Sequence, residues 1–166
     1  MATTTGSTTS PKPLSERELR AWRGMLRVHS SVTKALDAEL EERHGISLNS
    51  YEVLLHLDDA PDGRMRMSDL ASRLLLSRSG ATRLADRLER DGFICRNSCD
   101  SDARGSFAVL TPAGAEMLAG ARETHLAGVR RLYLDLLSSA EQDELGACWE
   151  RVLPAEPGEA PGGCGR

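Results

Sequence analysis

Between residues 77 and 114, arginines recur at spacings that would let one protein surface contact a polyanion. The segment SRSGATRLADRLERDG places arginines on one side of a helix, and FICRNSCDSDARGSFAVLTPAG, which follows, has the pattern of a β-hairpin. A helix with such a face fits the major groove of DNA, and a hairpin tip with one arginine fits the adjacent minor groove. We therefore expect these two elements to bind DNA.

The helix carries its polar side chains on the face opposite Leu84 and Leu88. We expect them to contact bases and phosphates, because backbone amides at a helix N-terminus also attract phosphate. The set is Arg78, Ser79, Thr82, Arg83 and Arg87. Asp86 lies among them and is placed to space or orient an arginine. The alternative for this face taken alone is an ordinary solvated helix surface.

The predicted hairpin tip carries Asp102 and Arg104. A guanidinium at this position can enter a narrow minor groove, where the negative potential of DNA is concentrated. Asp102 is placed to orient Arg104 by an ion pair, and the alternative is a surface ion pair that contacts no DNA. Arg64 and Arg66 precede the third predicted helix, and for them phosphate contact and simple solvation are equally open.

The charge distribution places a basic segment inside an acidic chain. The 166 residues carry a formal net charge of −4. Residues 64–104 contain nine arginines, no lysine and six acidic residues, a net charge of +3, so the remainder carries −7. This asymmetry is expected when one surface meets phosphate. A solvated helix face would also give a small positive excess, so charge alone does not decide the function.

Hydrophobic periodicity predicts a mainly α-helical chain with one small β-hairpin. A capping box at Ser15–Glu18 starts a long first helix, which ends at His44–Gly45. The later helices are expected at 49–59, 67–74 and 77–91, the strands at 93–97 and 106–110, and two more helices from Thr111–Pro112 and from Ser139 with Gln142. This is the order of a winged helix-turn-helix between long helices, with the hairpin as its wing.

Composition predicts a single domain at residues 14–153. Residues 1–13 and 154–166 are rich in Thr, Ser, Pro and Gly, and we expect both to be disordered tails. No apolar run approaches the roughly 20 residues that span a bilayer. The N-terminus also lacks the charged and apolar regions of a secretory signal. The prediction is a cytoplasmic protein that does not contact membranes.

Residues 48–114 resemble the MarR family of multiple-antibiotic-resistance regulators. Three segments are similar, in order and spacing, to that family's second helix, its helix-turn-helix with the next strand, and its wing: SLNSYEVLLHL, MSDLASRLLLSRSGATRLADRLERDGFICR and DSDARGSFAVLTPAG. The resemblance implies a homodimer, with dimerisation helices at 14–46 and 111–153 and a DNA-binding lobe at 48–110. It further implies a transcriptional repressor that binds double-stranded DNA at a near-palindromic operator. A small, often aromatic or anionic, ligand would release it.

The same resemblance implies an effector pocket between the dimerisation helices and the DNA-binding lobe. Trp22 and His29 lie on the inner stripe of the first helix near that position, and Arg27 and Asp69 are placed to supply polar contacts. The alternative for Trp22 and His29 is packing in the core or at the dimer interface.

Cys95 and Cys99 lie on the first strand and at the tip of the predicted wing. A thiolate there, stabilised by Arg96 or Arg104, would let oxidation displace the wing and would make the chain a redox-sensing regulator. Ordinary reduced thiols are the alternative. Another alternative function is a winged-helix adaptor that binds protein instead of DNA.

The remaining motifs predict neither an enzyme nor a metal or cofactor site. Ser31–Lys34 matches S-x-x-K, but it lies within a long amphipathic helix and lacks the companion motifs. The sequence has no P-loop, no G-x-G-x-x-G and no H-E-x-x-H. Its four cysteines form no C-x-x-C pair of zinc-ligand spacing.

Overall fold

The computed structural model describes residues 12–99 and 102–153, and of residues 98–99 and 102–105 it describes the backbone only. The elements in chain order are α1 Glu16–His44, α2 Leu48–Asp58, β1 Arg64–Arg66, α3 Met67–Arg73, α4 Arg78–Arg90, β2 Ile94–Cys99, β3 Asp102–Leu110, α5 Pro112–Leu132 and α6 Ser139–Val152. This order confirms the predicted mainly helical fold with a winged helix-turn-helix. The predicted disordered tails, apart from Lys12 and Pro13, lie outside the described residues.

Capping residues set the ends of the first helix as predicted. The Ser15 side chain accepts from the backbone N–H of Glu18, and the Glu18 carboxylate accepts from the backbone N–H of Ser15 in return. At the other end Gly45 has a φ of 69°, the left-handed conformation that glycine adopts without a steric cost. These two local signals fix the length of α1.

Two predicted helix starts are wrong by one residue. Helix α2 begins at Leu48, because Ser47 rather than a later residue caps it and accepts from the N–H of Ser50. Helix α6 is capped by Ser138, which forms a capping box with Glu141, not by Ser139 with Gln142. At α6 two serines are adjacent, and the sequence pattern does not say which hydroxyl faces the free amides.

The wing is a three-stranded antiparallel sheet in the order β1-β3-β2, not a simple hairpin. Strand β1, which the sequence did not predict, pairs Arg64 with Val109 and Arg66 with Phe107. At three residues it is too short to show an alternating pattern. Strands β2 and β3 are also longer than predicted, since their pairing continues to Cys99 and Asp102 beyond a register shift.

The core lies where the C-terminal part of α1, helices α2, α3, α4 and α5 and the base of the wing meet. Its largest fully buried side chains are Tyr51, Leu40, Leu54, Leu57, Leu70, Leu88, Ile94 and Leu118. The Tyr51 ring stacks on His125 with centroids 4.4 Å apart. Burial raises the pKa of Tyr51 and lowers the pKa of His125, because both charged forms would lose hydration.

The apolar stripe of α1 is only half covered in a single chain. Leu36 and Leu40, in its C-terminal half, are buried in the core. Trp22 and Leu26, in its N-terminal half, keep 54% and 46% of their surface exposed. The predicted stripe therefore extends beyond the core of one chain.

The end of the wing is fixed to α5 by a close backbone approach at Gly114. The hydroxyl of Thr111 donates to the Gly92 carbonyl at 2.7 Å and accepts from the N–H of Gly114 at 3.0 Å. A Cβ on Gly114 would lie 2.1 Å from the Phe93 carbonyl oxygen. Only glycine allows β3 to turn into α5 this close to the start of β2.

Substituting Gly114 with alanine should destabilise the fold by about 1–3 kcal/mol, because the new methyl group meets a backbone carbonyl. The matched control is Gly120→Ala in the same helix, where a Cβ meets nothing within 4 Å. That change should stabilise by about 0.5–1 kcal/mol through helix propensity. Urea unfolding monitored by circular dichroism measures both, and equal effects of the two substitutions would contradict the proposed close approach.

Candidate nucleic-acid interface

Helix α4 has one apolar and one polar face, and the fold buries only the apolar one. Ala81, Ala85 and Leu88 are buried in the core. Every predicted contact residue of the helix is exposed: Arg78, Ser79, Thr82, Arg83 and Arg87. The structure thus brings these five side chains to one solvent-facing surface.

The N-terminal end of α4 is ordered by its own hydroxyl groups. The Ser77 hydroxyl caps the helix by accepting from the N–H of Gly80 at 3.1 Å, and it lies 3.2 Å from the Ser79 hydroxyl. The Thr82 hydroxyl donates to the Arg78 carbonyl at 2.9 Å. This end is therefore held rigidly, with Arg78 at its outer edge.

A cleft of about 580 Å³ separates α3 and the start of α4 from the wing. Its charged lining residues are all arginines: Arg66, Arg78 and Arg96. Hydroxyl groups of Ser68, Ser72, Thr82 and Ser106 are also present in the lining. Arginine side chains around a groove are common hydrogen-bond donors to phosphate oxygens.

Strand β1 holds its two arginines against the wing. The guanidinium carbons of Arg64 and Arg66 lie 4.5 Å and 5.0 Å from the centre of the Phe107 ring. Contact of a cation with an aromatic face is attractive and restricts the side chain. Both residues are exposed, each guanidinium lies over the Phe107 ring, and Arg66 also lines the cleft.

The wing is attached to α4 by Arg96 of β2. Its guanidinium donates to Glu89 at 2.6 Å and 2.8 Å and approaches Asp86 at 2.7 Å. These hydrogen bonds lower the pKa of the Glu89 carboxyl. Asp86 does orient an arginine, as its position suggested, but that arginine is on the wing. From the sequence, Arg96 is expected only to stabilise a cysteine thiolate, and no sequence pattern predicts its pairing with Asp86 and Glu89.

The predicted wing-tip contacts lie in part outside the described residues. The backbone of Asp102 and Arg104 belongs to β3, and their side chains are not described. The Cys99 side chain also lies outside. Cys95 is an exposed free thiol. Its predicted partner Arg96 is already paired with two carboxylates, so this guanidinium is not available to stabilise a thiolate.

The predicted effector residues do not line the cleft. Trp22, Arg27 and His29 are exposed on α1, and Asp69 on α3 accepts a hydrogen bond from the Ser68 hydroxyl at 3.0 Å. Glu52 of α2, which the sequence pattern does not single out as a candidate, lies within the electrostatic influence of His29. Burial raises the pKa of Glu52, and His29 partly opposes this shift.

Two further observations concern the described part of the chain. It contains no group of three or more His, Cys, Asp or Glu side chains arranged to hold a metal ion. No helix within it combines the length and the apolar character needed to cross a bilayer.

Comparison with known proteins decides the family. Residues 44–105 match the model of the MarR family. The chain is 32% identical over 130 residues to the uncharacterised HTH-type transcriptional regulator YkoM of Bacillus subtilis, covering 78% of this chain and 82% of YkoM. The chain belongs to the MarR family. The resemblance seen in the three sequence segments is thereby confirmed.

Other MarR-type proteins extend this assignment to the fold. The MarR regulator Sco3205 of Streptomyces coelicolor, solved in complex with DNA, superposes with a TM-score of 0.81 at 32% identity, covering 90% of this chain and 97% of Sco3205. The transcriptional repressor MprA of Escherichia coli K12 is 31% identical over 109 residues, 66% of this chain and 61% of MprA. These relatives are transcriptional regulators, which confirms the prediction that the chain is not an enzyme.

Proposed function

We propose that this MarR-family regulator is a repressor that binds double-stranded DNA with α4 in the major groove and the wing tip in the adjacent minor groove. The observation that carries the proposal is the exposed polar face of α4 beside an arginine-lined cleft. The DNA complex of Sco3205, a relative with the same fold, supports it. Phosphate contacts would position the protein, and base-edge contacts would select the sequence.

The side chains divide into two roles by position. Ser79, Thr82 and Arg83, near the N-terminal end of α4, are proposed to reach base edges, because that end of a recognition helix enters the groove. Arg78 and Arg87, with Arg64 and Arg66 of β1, are proposed to contact phosphates along the rim. Arg104, oriented by Asp102, is proposed to enter the minor groove.

Arg104→Ala and Arg83→Ala should each weaken binding to the DNA upstream of the chain's own gene by about tenfold to a hundredfold at 0.15 M salt. The wild-type affinity should fall steeply with salt, with a log–log slope near −0.9 for each phosphate neutralised. Fluorescence anisotropy over a salt series measures both quantities. Arg122→Ala is the matched control, since this exposed arginine pairs with Asp58 at 3.1 Å, outside the proposed interface. Absent DNA binding, or DNA binding that salt does not weaken, would favour the alternative of an adaptor that binds protein.

We propose that the chain functions as a homodimer formed by its terminal helices. Apolar side chains on α1 and α6 lack cover in one chain: Trp22, Leu26 and Val28 on α1, and Trp149 and Val152 on α6. Several large apolar side chains exposed on the terminal helices favour an interface over a fully solvated surface. A two-fold axis would place two α4 helices in successive major grooves, about 34 Å apart.

Light scattering should give a mass twice that of the 18.0 kDa chain. Leu26→Glu combined with Val152→Glu should lower it to the monomer value, because two charges would have to be buried in each half of the interface. Leu75→Glu is the control, since Leu75 is 93% exposed but lies in the turn between α3 and α4. A monomeric wild-type chain would overturn the dimer.

We further propose that a small aromatic anion releases the repressor by binding near Trp22, Arg27, His29 and Asp69. The electrostatic influence of His29 of α1 on Glu52 of α2 supports this region, because it places the two side chains near each other where a terminal helix meets the DNA-binding lobe. A ligand there needs only to bind better to dimers whose half-site spacing does not match B-DNA.

Benzoate and related aromatic carboxylates should weaken binding to the upstream DNA while the mass of the dimer stays unchanged. In a transcription assay from the same DNA, the protein should lower the transcript yield and the active carboxylate should restore it. Trp22→Ala and Arg27→Ala should remove this response. Arg17→Ala, an exposed arginine on the same helix, should retain it. Unchanged affinity at saturating concentrations of the whole panel would refute this effector class.

A further inference from the structure

Arg96 forms a clamp that joins the wing to the recognition helix. The clamp consists of Arg96 on β2 with Asp86 and Glu89 on α4. Nε and Nη2 of Arg96 donate to Oε2 of Glu89 at 2.8 Å and 2.6 Å, and its backbone N–H donates to Oε1 of Glu89 at 3.0 Å. Nη1 lies 2.7 Å from Oδ1 of Asp86. One side chain thus bridges two carboxylates one helical turn apart.

The clamp lies at the base of the projecting part of the wing. Arg96 pairs with Ala108 across the sheet, and the described pairing continues outward to Cys99 and Asp102. Three further residues of strand extend about 10 Å. A small tilt of β2 against α4 would therefore move the wing tip by a distance that matters for a minor-groove contact.

The two carboxylates of the clamp lie close to the surface proposed to bind DNA, where negative charge alone would oppose binding. Asp86 and Glu89 lie on the same helix as the exposed arginines, and together with Arg96 they leave a net charge of −1 beside a surface proposed to meet phosphate. Like charges repel, so two carboxylates here would weaken binding if charge were their only effect. The geometry of the clamp gives them a different effect, the orientation of the wing.

We propose that Arg96, held by Asp86 and Glu89, is a positioning residue that sets the angle of the wing against α4, so that Arg104 reaches the minor groove while α4 occupies the major groove. This inference rests on the proposed DNA-binding function and adds a residue to it. The competing role is direct contact of Arg96 with a phosphate, since Arg96 also lines the cleft and its side chain is 30% exposed.

Substituting the two carboxylates distinguishes these roles, because the two roles predict opposite changes in DNA affinity. If Arg96 positions the wing, Asp86→Asn and Glu89→Gln should both weaken DNA binding, because each removes a restraint on the guanidinium. If Arg96 contacts phosphate directly, the same substitutions remove negative charge near the DNA and should strengthen binding. Strengthened or unchanged binding by both variants would overturn the clamp.

A double-mutant cycle with Arg104 gives the second test. Arg96→Met should weaken binding to the upstream DNA on the order of fivefold to a hundredfold. The double variant Arg96→Met/Arg104→Ala should lose much less affinity relative to Arg104→Ala than Arg96→Met loses relative to wild type, because the wing contact is then already absent and only the effect of the removed charge is left. Additive losses, with Arg104→Ala itself effective, would overturn the clamp and leave the proposed function intact. An ineffective Arg104→Ala would instead overturn the wing contact and the clamp together.

The same set of variants must also be shown to keep the fold. Thermal unfolding followed by circular dichroism identifies any variant that loses the fold, and the two carboxylate variants keep the test valid if Arg96→Met does so. Arg96→Lys keeps the charge but cannot form the same fork to both acids, so it should restore only part of the affinity. Arg122→Met removes an arginine–aspartate pair between α5 and α2 and should leave the affinity within about twofold of wild type.

Discussion

The burial of one face of α4 is the constraint on which the candidate site depends. Ala81, Ala85 and Leu88 pack into the core, and this packing sets the rotation of the helix about its axis. Because a helix has 3.6 residues per turn, fixing the apolar face also fixes the direction of the polar one. The small alanines let α4 lie close to its neighbours, and the arginines face solvent as a consequence of core packing.

The wing depends on two attachments of different character. At its root Gly114, the Thr111 hydroxyl and the Phe93 carbonyl bring β3 and α5 against the start of β2 through steric fit and hydrogen bonds. Further out, Arg96 ties β2 to α4 through charge. The first attachment belongs to the fold. The second lies next to the surface proposed to meet DNA, where a change of charge would alter both the angle of the wing and the local potential.

Local signals in the sequence were sufficient for most of the helices. The capping box at Ser15, the left-handed glycine at Gly45 and the Thr111–Pro112 start each act within a few residues, so their outcome can be predicted without the rest of the chain. Strand β1 could not be predicted in this way, since three residues become a strand only when β3 offers a partner. The competition between Ser138 and Ser139 for the α6 cap was likewise settled by geometry.

The sequence by itself determined the family, the order of elements and the polar face of α4, because motifs and periodicity are written in residue type and spacing. Tertiary structure decided which partners these arginines have. It placed Arg64 and Arg66 against Phe107, and it committed Arg96 to Asp86 and Glu89. These pairings join residues of different elements, and only the folded chain brings the interacting side chains within a few ångströms of each other. The sequence separates the arginines of α4 from Arg104 at the wing tip, but only folding separates Arg96 from the arginines that stay exposed.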